Sequence, residues 1–208
     1  MIRQDSLSAE GLVCYRGDQC LFQGLDFTVL SGQLLLIEGV NGSGKTSLLK
    51  LIAGLRYPDN GSLLWNGQAI EKMAGEYRRH LTYVGHHDGV KRELTVAENL
   101  RLIQQLFSQQ EHLLENILLQ LNLVIQQDSL AGTLSAGQRR RVALARALYS
   151  DASLWILDEP FTSLDKNTTA FFLQALQQHL AQGGMAVMTS HHDINLRDIS
   201  IQRLDLCA

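Results

Sequence analysis

Gly39-Val40-Asn41-Gly42-Ser43-Gly44-Lys45-Thr46, entered from the apolar run Gln33–Glu38 (QLLLIE) and continued by Ser47-Leu48-Leu49-Lys50-Leu51-Ile52-Ala53, decides the fold. It matches G-x-x-x-x-G-K-[ST] at every position, and a chance match in a chain of this length has a probability on the order of one per cent. The apolar run before it reads as a buried parallel strand. The pattern after it reads as a helix from Lys45 to Ala53, with Gly54 as its stop. Glycines between strand and helix let successive N–H groups turn inward around a phosphate, and the helix aims its N-terminal dipole at the same charge. Gly39 through Ser47 are therefore the candidate nucleotide-binding residues. Lys45 is expected to reach the β- and γ-phosphates of ATP, and Thr46 to offer its hydroxyl to Mg²⁺.

A second apolar run, Ser153–Leu157, ends in Asp158-Glu159-Pro160. Asp158 at such a strand end suits the Mg²⁺ shell, and Glu159 suits the polarisation of a water for attack on the γ-phosphate. Alone, an acidic strand end is a common solvated turn; together with the phosphate loop upstream it points to phosphoryl chemistry.

The rest alternates in the same way. Residues 7–14 and 21–29 read as half-exposed strands joined at Gly17-Asp18, and Pro58-Asp59-Asn60-Gly61 as a turn before a strand over 62–65. Residues 81–84 and 185–190 read as further strands, and 168–181 as a helix stopped by Gly183-Gly184. Between them, about 95–125 is helical, opened by the capping box Thr95-Val96-Ala97-Glu98. A second capping box, Ser135-Ala136-Gly137-Gln138, opens a helix running to about Tyr149. The pattern is an α/β core with a helical insert.

Leu134-Ser135-Ala136-Gly137-Gln138, continued by Arg139-Arg140-Arg141-Val142-Ala143-Leu144-Ala145-Arg146-Ala147-Leu148, resembles the LSGGQ signature and basic, Ala-rich helix of the ABC ATPase family. Ser135 as N-cap and the free amides of Gly137 and Gln138 make an anion site at a helix start. The resemblance implies an α/β P-loop ATPase with a RecA-like parallel-sheet core, an antiparallel β subdomain and a helical signature subdomain. It makes 1–208 one ABC ATPase domain, with core and β subdomain at about 1–86 and 151–208 and the helical subdomain at about 87–150. It also implies a head-to-tail dimer with a second copy of the chain, in which Ser135, Ala136, Gly137 and Gln138 touch ATP held by the opposite subunit. Asp165, in Ser163-Leu164-Asp165, falls at the family's D-loop, and His191 at its switch histidine. Tyr15 matches the aromatic that stacks on adenine. Glu159, His191 and Lys45 are the catalytic candidates.

Two departures stand out. Ala136 replaces the first signature glycine. Tyr83-Val84-Gly85-His86 replaces the family's usual Tyr-Val-Pro-Gln, so His86 takes the place of a glutamine near Mg²⁺ and would make that contact sensitive to pH. The run Val84–Lys91, with Leu94–Leu100 after it, is similar to the ATP-binding subunits of haem exporters in bacterial cytochrome c maturation. That resemblance implies an integral membrane subunit as partner, a periplasmic haem chaperone as an indirect one, and a peripheral position on the cytoplasmic face of the inner membrane. Lys91 and Arg92 are candidate contacts to the membrane subunit, or a solvated turn. An ATPase of another exporter, and a soluble ABC ATPase of iron–sulfur cluster assembly, remain open at this point; a P-loop kinase has no use for LSAGQ.

Composition fits this reading. Eighteen Lys and Arg against 21 Asp and Glu give a net charge of −3, which supplies no reason to expect nucleic acid as a partner. Cys14, Cys20 and Cys207 lack metal spacing, and the first residues lack the apolar core of a secretory signal. No stretch approaches the roughly 18 apolar residues of a membrane span, so membrane association is expected through a partner. With only a short stretch beyond His191, no substrate-sensing tail is expected.

Overall fold

The computed structural model describes residues 4–107, 113–190 and 194–206. Its centre is a parallel sheet of β3 (Gln33–Glu38), β6 (Leu81–Val84), β7 (Leu154–Asp158), β8 (Met185–Thr189) and β9 (Ser200–Asp205), in the order β6-β7-β8-β3-β9. A strand covered on both faces must be apolar at every position. In β3 the alternation sends Leu35 and Ile37 to one apolar cluster and Leu34 and Leu36 to another. The first cluster is closed by α1 (Lys45–Ile52), which contributes Leu48, Leu49, Leu51 and Ile52. The second is closed by α6 (Lys166–Ala181), through Phe172, Leu176 and Leu180 at four-residue spacing.

A second sheet, antiparallel, flanks the first cluster. It comprises β1 (Ser6–Arg16), β2 (Gln19–Leu30), β4 (Asn60–Trp65) and β5 (Gln68–Ala69), in the order β2-β1-β4-β5. Gly61 meets β1 so closely that a Cβ there would overlap the carbonyls of Glu10 and Gly11, and its φ of 83° also favours glycine.

The helical region consists of α3 (Val96–Phe107), α4 (Leu113–Gln120) and α5 (Ala136–Tyr149). Both expected capping boxes form. Glu98 accepts from the Thr95 N–H while the Glu98 N–H donates to Thr95 Oγ1, and Ser135 and Gln138 do the same for α5. Val142, Ala145 and Tyr149 of α5 pack into the helical cluster with Val96, Leu100 and Leu121. Ala143, Leu144 and Ala147 of the same helix pack into the second core cluster. Its alanines let one helix lie close to two bodies at once.

Several boundaries differ from the sequence reading. α6 starts at Lys166 instead of Thr168, because Asp165 is its N-cap: Asp165 Oδ1 accepts the Thr168 N–H at 2.9 Å. β4 starts two residues early, inside the expected turn. The short 3₁₀ turn Ile70–Met73 with α2 (Ala74–Tyr77), and strand β9, had no clear pattern. β9 lies at the sheet edge, with every residue exposed or only partly buried, so its side chains do not record the pairing.

On the α6 side of the sheet, His179 stacks on Trp155 with ring centroids 4.2 Å apart and planes at 12°. Burial lowers the His179 pKa below its ordinary value, against the opposing pull of the Met185 carbonyl. The unfolded chain therefore takes up a proton near the ordinary histidine value of roughly 6.5 that the folded chain refuses. Its contribution to stability is full above that pH and is lost as pH falls from there through the lower folded value. Urea unfolding at pH 7.5 and 5.5 should show a smaller acid loss for His179→Phe than for the unaltered chain.

Candidate active site

Parallel registers decide what meets at the carboxyl edge of the central sheet. Thr189 is level with Asp158 on one side and with Ile37 on the other. The loop after β3 thus opens beside the ends of β7 and β8, where open α/β sheets bind their ligands.

The loop has the shape its glycines predicted. Gly39, Gly42 and Gly44 all have positive φ, and Gly44 (φ 106°) leads directly into α1. A Cβ on Gly44 would press on Leu21 and Phe22 of β2 at 3.1–3.2 Å, so the antiparallel sheet buttresses the loop from behind. Lys45 Nζ bends back over the loop and donates to the carbonyls of Gly39 at 2.6 Å and Val40 at 3.1 Å. Ser43 Oγ is buried without a hydrogen-bond partner among the described residues.

Thr46 Oγ1 donates to Asp158 Oδ2 at 2.9 Å, and Thr189 Oγ1 donates to Asp158 Oδ1 at 2.9 Å. The Glu159 N–H in turn donates to Thr189 Oγ1 at 2.9 Å. One chain of bonds thus joins the phosphate loop, both acidic residues and the end of β8. Asp158 is 2% exposed, so its carboxylate depends on these two hydroxyls. The hydroxyl and carboxylate oxygens of Thr46 and Asp158 are the hard donors that suit Mg²⁺. Tyr83 of β6, level with Ile156 of β7, has the pKa of its phenol pushed up to about 12, first by burial and then by the Asp158 charge.

Glu159 itself has φ 48°, an unusual conformation for a residue with a side chain. Its carboxylate Oε2 accepts from Thr162 Oγ1 at 3.3 Å.

The remaining predicted residues lie around this centre. Tyr15 is 38% exposed at the end of β1, paired with Cys20, one residue from the Leu21 that touches the loop. Ser135 and Ala136 are exposed at the start of α5. A Cβ on Gly137 would overlap the carbonyl of Ser163, so the signature turn and the turn carrying Asp165 abut within one chain. Ala136 is exposed, whereas Gly137 has no room for a side chain beside Ser163. Asp165 also pairs with Arg141 at 3.9 Å, and its carboxyl is held below the usual range chiefly by the Thr168 N–H. His86 is exposed and lines a cleft of about 300 Å³ with His87, Asp88, Arg92 and Arg139. The bonds of Thr46 and Asp158 described above run to each other and to Thr189, not to His86. Gly85 before it lies under the Tyr83 ring, where a Cβ would be 2.9 Å from the phenol oxygen. His191 lies outside the described residues.

A groove of about 400 Å³ runs between the end of α1, β6 and α3, lined by Leu55, Tyr83, Val90, Lys91, Leu102 and Leu106 among others. Its floor loop is pinned by the buried Asn99, which accepts the Lys91 N–H and donates to the carbonyls of Lys91, Leu94 and Thr95.

A sequence model of the ABC transporter family matches residues 22–162, which span the phosphate loop, the signature turn and the acidic pair. The chain belongs to the ABC transporter family. It is an ATP-binding and ATP-hydrolysing subunit of that family. Two proteins described as "Cytochrome c biogenesis ATP-binding export protein CcmA" are close in sequence. That of Histophilus somni is 44% identical over 98% of this chain and 95% of its own length. That of Methylococcus capsulatus is 47% identical over 92% and 93%. Among solved structures, a putative ABC transporter ATP-binding protein from Pyrococcus furiosus superposes with a TM-score of 0.79 at 25% identity, covering 96% of this chain and 97% of that one. A nucleotide-free ATP-binding cassette from an ABC transporter gives 0.75 at 26%, covering 97% and 88%. The ABC fold accounts for both sheets and the helical region. No helix among the described residues is long and apolar enough to cross a membrane.

Sequence reasoning missed Thr189, and it missed that Arg140 is buried, with its guanidinium on the carbonyls of Gly85 and Glu159. Thr189 was legible as the one polar residue at the end of a fully buried strand, MAVMT. Arg140 lies within a run of three arginines that a helix must spread around its axis, so at least one turns inward.

The Thr189 hydroxyl serves both acidic residues, so Thr189→Val leaves a buried carboxylate oxygen and an amide without their partner. The expected cost is about 1–3 kcal/mol of stability in urea unfolding, together with a fall in ATP turnover; unchanged values for both would remove Thr189 from the site.

Proposed function

We propose that this chain energises the export step of cytochrome c biogenesis, as the ATPase subunit of a haem-pathway ABC complex at the cytoplasmic face of a bacterial inner membrane. The observation that supports it best is 41–47% identity, over nearly the whole chain, to proteins named for ATP-binding export in cytochrome c biogenesis. The site described above supplies the engine that such a role requires.

ATP lies with its phosphates in the 39–46 loop. Backbone N–H groups and Lys45 meet the β- and γ-phosphates once the Lys45 ammonium leaves the two loop carbonyls that hold it. Thr46 and Asp158 are the residues that hold Mg²⁺, which when bound offsets charge on the phosphate oxygens. Glu159 accepts a hydrogen bond from the attacking water and draws its proton. His191 contacts the γ-phosphate, and Tyr15 stacks on adenine. The exposed start of α5, with Ser135, Ala136, Gly137 and Gln138, meets the γ-phosphate held by a second copy of the chain, so ATP joins two subunits. Asp165, on the turn that abuts Gly137, carries the state of one site to the other.

The groove beside α3 receives a segment of the integral membrane subunit. Leu55 and Leu106, 61% and 68% exposed, give it apolar rims, and Lys91, Arg78 and Arg146 line it with polar groups. Haem, or the periplasmic chaperone that carries it, is handled by the membrane subunits and not by this chain.

Glu159→Gln is the test. It should bind ATP, form a stable dimer and lose turnover by about 10²-fold or more. The tagged variant, purified with ATP from detergent-solubilised membranes, should bring an integral membrane protein and other cytochrome c biogenesis components. Wild-type turnover would remove Glu159 as the base, and recovery of soluble scaffold proteins alone would move the chain to a soluble assembly role.

A further inference from the structure

Arg140 does something that a surface arginine of a basic helix would not. It is 5% exposed, and its guanidinium donates to four main-chain carbonyls on two strand ends. Nη1 reaches the Gly85 carbonyl at 2.7 Å, after β6. Nη2 reaches the Asp158 carbonyl and that of Glu159 at 3.0 Å, and Nε reaches Pro160 at 3.4 Å. Asp88, on the turn with His86 and His87, pairs with the same guanidinium at 3.6 Å and with Arg139 at 3.9 Å. The planar fork of arginine, with five donors, can span these acceptors; a lysine ammonium cannot.

The carbonyls it holds flank the strained residue of the site. Glu159, at φ 48°, keeps a sparsely populated conformation only if its surroundings impose it. The Thr189 hydroxyl holds its N–H and Arg140 holds its carbonyl. Together they fix the direction in which the carboxylate leaves the main chain.

We infer that Arg140 is a positioning residue for hydrolysis: from the signature helix it holds the main chain of Glu159 in its left-handed conformation and ties it to the Gly85–Asp88 turn. The inference rests on the reading of Glu159 as the residue that activates water. Arg140 touches no phosphate in this scheme. It makes the rate of the chemical step depend on the turn beside the groove, because both ends pull on one guanidinium.

The test uses the full chain with its own membrane partner in detergent, measuring kcat, KM for ATP, ATP binding and melting temperature. Arg140→Lys keeps the buried charge but cannot span the carbonyls, and should lower kcat at least tenfold with KM and ATP binding within about twofold. Asp88→Ala, on the outer side of the guanidinium, leaves the interior intact and should lower kcat severalfold, again without a change in KM. In a Glu159→Gln background, Arg140→Lys should add almost nothing, because both changes disable one device. A lower melting temperature with unchanged kcat per folded molecule, or multiplicative losses in the double variant, would overturn the inference, as would an unaltered kcat in Asp88→Ala. If instead Glu159→Gln alone turns over normally, the base assignment fails and the positioning role falls with it, a result separable from failure of Arg140→Lys in an otherwise intact site.

Discussion

Two hydroxyls on one buried carboxylate hold the catalytic edge of this protein together. Thr46 arrives from the helix that follows the phosphate loop, Thr189 from the end of β8, and Asp158 stands between them on β7. Each comes from a different part of the chain, so the arrangement exists only when three strands are in parallel register. A slip of one residue in β7 or β8 would turn Asp158 or Thr189 to the other face of the sheet. The apolar core is what prevents the slip. Leu154, Trp155, Ile156 and Leu157 alternate between two clusters, and every register error would exchange their faces. Packing thereby sets the geometry of the polar atoms, and the polar atoms need no rigidity of their own.

The signature helix extends the same logic to the helical region. α5 is apolar on two sides because it belongs to two clusters, and its polar start is left at the surface. Arg139, Arg140 and Arg146 leave the helix towards the 85–89 turn: Arg139 and Arg140 meet Asp88, and Arg146 Nη2 donates to the Gly89 carbonyl at 2.6 Å. The turn beside the groove is therefore braced by the helix that carries the signature motif, while Asn99 braces the loop after it. A displacement of that turn has a short route to the ends of β6 and β7.

Most of this architecture was readable in the chain. β3, β6 and α5 carry their boundaries in plain sight, because apolar runs and capping boxes are local signals. The phosphate loop and the acidic pair could be named for the same reason. What stayed hidden depends on distant partners. β9 is an edge strand whose pairing is written in its main chain, and the 70–77 turns owe their shape to packing of Ile70 and Tyr77. The start of α6 was misplaced because Asp165 has two uses, helix cap and signature-side turn. His86 could be placed by its strand but not aimed, and its side chain lies in the cleft with Asp88 and Arg92.

Arg140 binds carbonyls, which every residue possesses. Its partners at 159 and 160 are therefore held whatever side chains they carry, and substitutions there would leave the contact in place. The carbonyl contacts leave no matched pair of residues to vary together across relatives; in side chains the link is recorded by the arginine and its Asp88 partner. Methods that look for coupled positions would pass over these carbonyl contacts, although they join the signature helix to the ends of β6 and β7.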